Sequence, residues 1–283
     1  MGIDDRKRLI AELESQLNAR VITVITGDRQ RMETRIAPDL LPLISEHLSR
    51  LGSNDRLALF LYTPGGDSIV GWGLVNLLRQ YCQKLLVLVP FRALSCGTLI
   101  VLGADEAILG RHGLLSPVDP SVSSPFNPPA PGATQGGGRL QLLPVSVEDM
   151  IGFLDLARKE ANLSSESSMV EVLKILSQNV HPLALGAVYR AREQSAQLAE
   201  RLLKKHIGDA DKIQGIVKRL TQELPTHSYL IGRREAAEEI GLPITEAPPD
   251  VENTMWALYK NYEGWMRLTE PASPELDLGT EKQ

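Results

Sequence analysis

The sequence is short of several things, and each shortage narrows what the protein does. Only two of its 283 residues are cysteines, Cys82 and Cys96. Neither falls in a CxxC pair or a zinc-ligand spacing, so no structural metal is expected, and the count suits a reducing compartment. Positive charge is not in excess: 30 Lys and Arg face 35 Asp and Glu, for a net charge of −5. Phosphate binding needs a concentrated positive field, so no nucleic-acid partner is expected. Long apolar runs are absent too. The best windows are broken by Arg92, Asp105 and Glu106, short of the roughly 20 residues that span a bilayer. The opening "MGIDDRKRLIAELESQLNAR" lacks the apolar core of a signal peptide. These absences predict a soluble, cytoplasmic chain without an integral membrane segment.

What is present is ordinary globular composition, 43% apolar and 23% charged, in a chain long enough to bury a core without staples. Residues 5–19 carry Leu9, Ile10, Leu13 and Leu17 on one helical face. "VITVIT" reads as a strand, "APDLLPLISEHLSRLG" as a helix capped by Gly52, and "RLALFLYT" as a buried strand. "PGGD" turns into the helix "SIVGWGLVNLLRQYC". "KLLVLVP" is again a buried strand, "GTLIVLGA" a helix and "EAILG" a short strand. Continuous apolar strands alternating with helices predict an α/β fold, a parallel sheet covered on both faces. Residues 123–139 are rich in Pro and Gly and read as a loop. From residue 146 the chain turns helical, opening on a capping box of Ser146 and Asp149. The expected organisation is an N-terminal helix (1–20), an α/β core (21–122), a Pro/Gly-rich loop (123–145), a helical extension (146–267) and a disordered tail (268–283).

Two small-residue clusters each follow a buried strand: Thr63-Pro64-Gly65-Gly66-Asp67 and Leu94-Ser95-Cys96-Gly97. Functional groups gather at the carboxyl ends of parallel strands. A glycine pair there permits close backbone approach and frees amide N–H groups. A serine at the next strand's end, opening a helix, meets a terminus that favours developing negative charge. Together they sketch a nucleophile beside an oxyanion hole, with Ser95 Oγ attacking a carbonyl and the Gly66 and Cys96 amides receiving the oxyanion. The plainer reading stands beside it: Gly-Gly as a turn and Ser95 as an N-cap. No GxSxG elbow is present.

These residues also carry a resemblance. "LFLYTPGGDSIVGWGLVNLLR", "LVPFRALSCGTLIVLGADEAILGRHGLLSPVDPSV" and "HSYLIGRREAAEEIGLPI" are similar to segments of the ClpP-class serine peptidases, nearest the serine dehydrogenase proteinases, relatives of SppA and of the NfeD-type peptidases. The pattern comprises the TPGG turn at Thr63–Gly66, the serine cluster at Ser95–Thr98, Ala104-Asp105 and the segment Ser116–Pro120. Relatives usually have Ala at the place of Cys96 and Gly at that of Ser116. The Cys96 thiol is more simply a small packing group than a second nucleophile. The resemblance implies the ClpP/crotonase-like spiral of β-β-α units with a helical C-terminal half. It implies a peptide or protein substrate, no cofactor, and assembly into a homo-oligomer.

It further implies a general base, which the chain does not make obvious. ClpP has a histidine on the strand after its nucleophile helix, and "GLLSPVDPSV" has none. SppA-like enzymes use a desolvated lysine. In NfeD-type relatives that lysine lies on the helix after the loop, which here offers Lys159. His112 and His227 are the other candidates; His181 reads as a turn residue, and His47 and His206 as helix-surface residues. Asp67 opens a helix and reads as its cap, whereas Asp119 is left between orienting a base and capping a turn. Three functions follow: a serine peptidase, with Gly65, Gly66 and Cys96 forming the substrate cradle; a peptide-binding or scaffold protein that kept the fold without a base; and a crotonase-like acyl-thioester enzyme, which coenzyme A would stabilise.

Overall fold

A computed structural model describes residues 2–118, 121–122, 125–129, 142–143 and 145–271, without the side chains of 121–122 and 146–148. The elements run α1 (Ile3–Leu17), β1 (Arg20–Ile25), α2 (Leu40–Leu51), β2 (Asn54–Tyr62), α3 (Ser68–Arg79), β3 (Cys82–Val89), α4 (Cys96–Leu102) and β4 (Glu106–Leu109). They continue with β5 (Leu114–Leu115), β6 (Ser121–Val122), β7 (Val145–Ser146), α5 (Val147–Asp155), α6 (Glu166–Asn179), α7 (Pro182–Leu203) and α8 (Ala210–Lys218). The last are β8 (Ile231–Gly232), β9 (Ile244–Glu246) and α9 (Pro249–Met266). Three one-turn π segments, Leu156–Glu160, Arg219–Glu223 and Glu235–Glu239, stand where sequence periodicity continues a helix.

The chain forms two compact units. The first comprises residues 1–118, 198–224 and 228–283; the second comprises residues 119–197 and 225–227. In the first, β1, β2, β3, β4 and β9 lie side by side in one parallel sheet. Side chains alternate across a strand, and both faces of this sheet are apolar. Ala58, Phe60 and Tyr62 of β2, with Leu86 and Leu88 of β3, pack against Leu9 and Leu13 of α1 and Met255, Leu258 and Tyr259 of α9. The intervening Leu57, Leu59, Leu61, Leu85, Val87 and Val89 are fully buried outside that cluster, on the face that α3 and α4 cover with Leu74, Leu78, Leu99 and Ile100. Burial of about 1.5–3 kcal/mol per large aliphatic side chain on both faces explains why these strands read as unbroken apolar runs.

No strand is expected at β9, and α9 falls within the expected helical extension (146–267) without being singled out. The chain stays packed beyond α9: Leu268 is buried, and the buried Arg29 donates to the carbonyls of Glu270 and Pro271. The second unit holds α5, α6 and the first part of α7, with Val145, Val188, Met150 and Ile151 in a small core of their own. Most of the 123–139 loop, Asp119, the Ser146 side chain of the expected capping box and the tail from residue 272 lie outside the described residues.

Candidate active site

The two small-residue turns meet. Past the ends of β2 and β3 the chains stay paired, Thr63 N–H donating to Arg92 O at 2.9 Å and Leu94 N–H to Thr63 O at 3.0 Å. This rung carries the TPGG turn to the serine turn. A Cβ built on Gly65 would lie 3.1 Å from Ser95 Cβ and 3.7 Å from Ser95 Oγ. Only a residue without a side chain leaves that space open.

Gly65 and Gly66 have φ of +123° and +151°, backbone that side chains disfavour. On its other flank the turn is pinned to Ile36, whose N–H donates to Gly65 O and whose carbonyl accepts Asp67 N–H, both at 2.9 Å. Alternation along this short extended segment turns the Gly66 N–H away from Ile36. Among the described residues that N–H has no acceptor, and neither has the N–H of Cys96. Asp67 caps α3 as expected, its Oδ1 accepting Ile69 N–H at 2.8 Å.

Ser95 is half-buried and opens α4, with φ +50° and ψ −110°. Its side chain makes no capping bond, so the plain N-cap reading does not describe it. Its Oγ has no hydrogen-bond partner among the described residues. Positive φ in a non-glycine residue is uncommon and is retained where the surroundings fix it. A GxSxG sequence is absent, yet a strained strand-to-helix turn at the serine is present.

Cys96 is fully buried, and its Sγ contacts Asp67 O at 3.1 Å. Burial first, and the Asp67 charge second, push the thiol up to about 12. A thiol held protonated in the interior is an inert packing group.

The base candidates fall in different places. Lys159 lies in the π segment after α5, in the second unit. Its side chain is 68% exposed, and Nζ donates to Asp155 Oδ2 at 2.7 Å. His227 belongs to the same unit. His112 packs against Trp256 of α9, the rings tilted with centroids 4.3 Å apart. It therefore sits on the α9 face of the sheet, whereas Ser95 opens α4 on the other. His181 accepts Leu183 N–H at 3.2 Å and stacks on Phe126, as a turn residue does. His47 is exposed. His206 departs from expectation: it is half-buried beyond the end of α7, where burial, opposed by the nearby Asp105, holds the imidazole below its ordinary value.

Two groups near the turn had no expected role: Ser116 stands out in the sequence only as a departure from the relatives' Gly, and Arg92 only as a break in an apolar window. Ser116, 2% exposed, accepts Ser95 N–H on its Oγ at 2.7 Å. Arg92, three residues before the serine, pairs with Asp28 at 2.7 Å and donates to Tyr62 OH at 3.1 Å. Burial pushes the Tyr62 phenol up to about 12, Arg92 opposing and Asp28 adding to the shift. An arginine at a strand end carries no mark of its partners until the fold brings Asp28 and Tyr62 beside it.

A parallel α/β core with a serine on a strained turn beside a diglycine fits the ClpP-like class of fold. Residues 1–178 match the profile of the ClpP-like SDH-type serine proteinases, and the chain belongs to that family. Two uncharacterized proteins of Methanocaldococcus jannaschii are 26% and 27% identical over 263 residues, covering 90% of this chain and 78% and 76% of theirs. A solved structure of a mutant 1510-N membrane-bound stomatin-specific protease aligns over 80% of this chain and 78% of its own, at 12% identity and a TM-score of 0.44. Among the described residues of the present chain, no helix is long and apolar enough to cross a membrane.

Proposed function

We propose that the protein is a serine peptidase in which Ser95 Oγ attacks a peptide carbonyl and forms an acyl-enzyme that water then hydrolyses. One observation carries this reading: a half-buried serine whose hydroxyl has no partner among the described residues stands at a strained turn against Gly65, and the turn on each side offers an amide likewise unpaired among them. The Gly66 and Cys96 N–H groups receive the oxyanion, and such preorganised donors contribute about 2.7–4 kcal/mol each to the transition state. Gly65 leaves room for the acyl group. No metal or cofactor enters the scheme. Lys159 is the base we propose, with His227 and His112 as the alternatives; to act it leaves Asp155 and sheds its water, since only the neutral amine accepts a proton. The substrate is a peptide or protein, and the working form is a cytoplasmic homo-oligomer.

A fluorophosphonate probe tests the reading. It labels the wild-type chain covalently, Ser95→Ala abolishes labelling, and Lys159→Ala slows it by at least about 100-fold, the scale of lost general-base catalysis. Labelling that survives Ser95→Ala overturns the assignment of the nucleophile. Full-rate labelling of Lys159→Ala moves the base elsewhere, with His227→Ala the next variant.

The unpartnered Ser95 hydroxyl also favours a second reading, a peptide-binding protein of the same fold without a working base. Absent labelling in every assembly state, with peptide binding retained, selects it.

A further inference from the structure

We propose that Ser116 is a positioning residue for Ser95: its buried hydroxyl fixes the strained turn and withdraws the Ser95 N–H from the oxyanion hole. This deepens the peptidase reading and rests on it for its catalytic arm alone.

The segment after β3 and the segment at β5 run as a short parallel ladder. Leu114 N–H donates to Phe91 O at 2.6 Å, and Ala93 N–H to Leu114 O at 2.9 Å. Continued in the same register, the next two rungs are Ser116 N–H to Ala93 O and Ser95 N–H to Ser116 O. Two hydroxyls stand in their place. Thr98 Oγ1 takes the first rung, accepting Ser116 N–H at 3.0 Å and donating to Ala93 O at 2.9 Å. Ser116 Oγ takes the second, accepting Ser95 N–H at 2.7 Å and donating to Pro117 O at 3.2 Å. The two chains part where Ser95 takes its positive φ.

Among the described residues, four hydrogen bonds engage the backbone of Leu94 and Ser95. Three join backbone to backbone: Leu94 N–H to Thr63 O, Gly97 N–H to Leu94 O, and Leu99 N–H to Ser95 O. Of these four, the fourth, to Ser116, alone fixes the nitrogen of Ser95 and alone is removed by a side-chain substitution. Thr98 and Ser116 are 0% and 2% exposed, so solvent does not supply a substitute acceptor. With its own amide committed, Ser95 presents the hydroxyl alone, and the oxyanion falls to Gly66 and Cys96.

Ser116→Ala tests this through two independent measurements on the full chain. The first is hydrogen exchange of the Ser95 amide, which requires no catalysis. The second is fluorophosphonate inactivation, separated into maximal rate and half-saturating concentration. We expect faster Ser95 exchange and a maximal rate lower by about 10- to 100-fold, the scale of one unmade buried hydrogen bond, with the half-saturating concentration unchanged. Ser116→Cys keeps the shape, with a slightly larger atom and a weaker acceptor, gives intermediate values, and carries the test should the alanine variant not fold. Wild-type exchange at Ser95 in either variant overturns the proposal, as does a wild-type maximal rate. A wild-type chain that takes no probe defeats the peptidase reading, while the exchange measurement alone then decides the role of Ser116.

Discussion

Replacing Gly66 by Ala opposes two constraints at once. The residue has φ +151°, and the added Cβ falls 2.2 Å from Ile36 O and 2.5 Å from Ile36 N, both backbone atoms. A flexible side chain would swing aside; a backbone does not. Strained backbone at such a φ costs about 1–3 kcal/mol. Relief of the overlap moves Ile36 off the turn and breaks its two hydrogen bonds, each contributing about 1 kcal/mol. The sum, about 3–5 kcal/mol, is a large part of the roughly 5–15 kcal/mol that holds a domain folded. At about 2–4 °C per kcal/mol for large domains, the melting temperature falls by about 6–20 °C. Gly65→Ala is the control. Its φ is +123°, but the nearest atoms lie at 3.1 and 3.2 Å and no rung is lost, while the new methyl carbon stands 3.7 Å from Ser95 Oγ. It therefore costs less stability and more labelling per degree of melting temperature. Melting curves by circular dichroism, paired with probe labelling, read both. A Gly66→Ala variant that melts with the wild type, or a Gly65→Ala variant that melts lower than it, refutes the account of the turn.

Two further outcomes are expected. A Cβ on Gly71 would lie 2.5 Å from Cys96 Sγ with its other neighbours at 3.4 Å or more, so Gly71→Ala destabilises and Cys96→Ala rescues it; a double-mutant cycle in urea should give a coupling of about 1 kcal/mol or more, and simple additivity would contradict the close packing. Cys96, Cys82 and Tyr62 are all raised above their ordinary values, to about 12, 11 and 12. The unfolded chain therefore releases these protons first, and their contribution to stability is complete below the ordinary thiol value of 9.0 and lost as pH rises from there towards 12. Urea midpoints should fall across that range and fall less steeply in Cys96→Ala; an unchanged slope would mean that the thiol ionises alike in both states.

Most of the sheet was legible because its strands are buried on both faces. "LALFLY" and "KLLVLV" need no partner information to read as strands. β9 is three residues long, and its place beside β4 is set by pairing alone. The stripe of α9, with Val251, Met255, Leu258, Tyr259 and Tyr262 buried, has a readable helical spacing that the sequence reading did not use. The π segments are changes of hydrogen-bond register, to which side-chain periodicity is nearly blind. At the site, the order of Thr63–Gly66 and Ser95–Thr98 pointed to one cradle, and the paired turns place Gly65 against Ser95. The φ of Ser95 and its bond to Ser116 depend on two hydroxyls displacing ladder rungs, for which no spacing rule exists. Lys159 was drawn from resemblance, and its bond to Asp155 is the ordinary pairing of neighbours one helical turn apart.

The fifth strand of the sheet arrives late. Ala107 of β4 pairs with Ile244, so during synthesis the outer rim of β4 has no companion until nearly the whole chain has been made. At ribosomal rates of about 5–20 residues per second, that delay is on the order of ten seconds. An open, apolar strand border exposed that long is a template for unwanted pairing. Nascent chains arrested just short of β9 should hence associate or recruit holdase chaperones, and release of a few more residues should end the hazard.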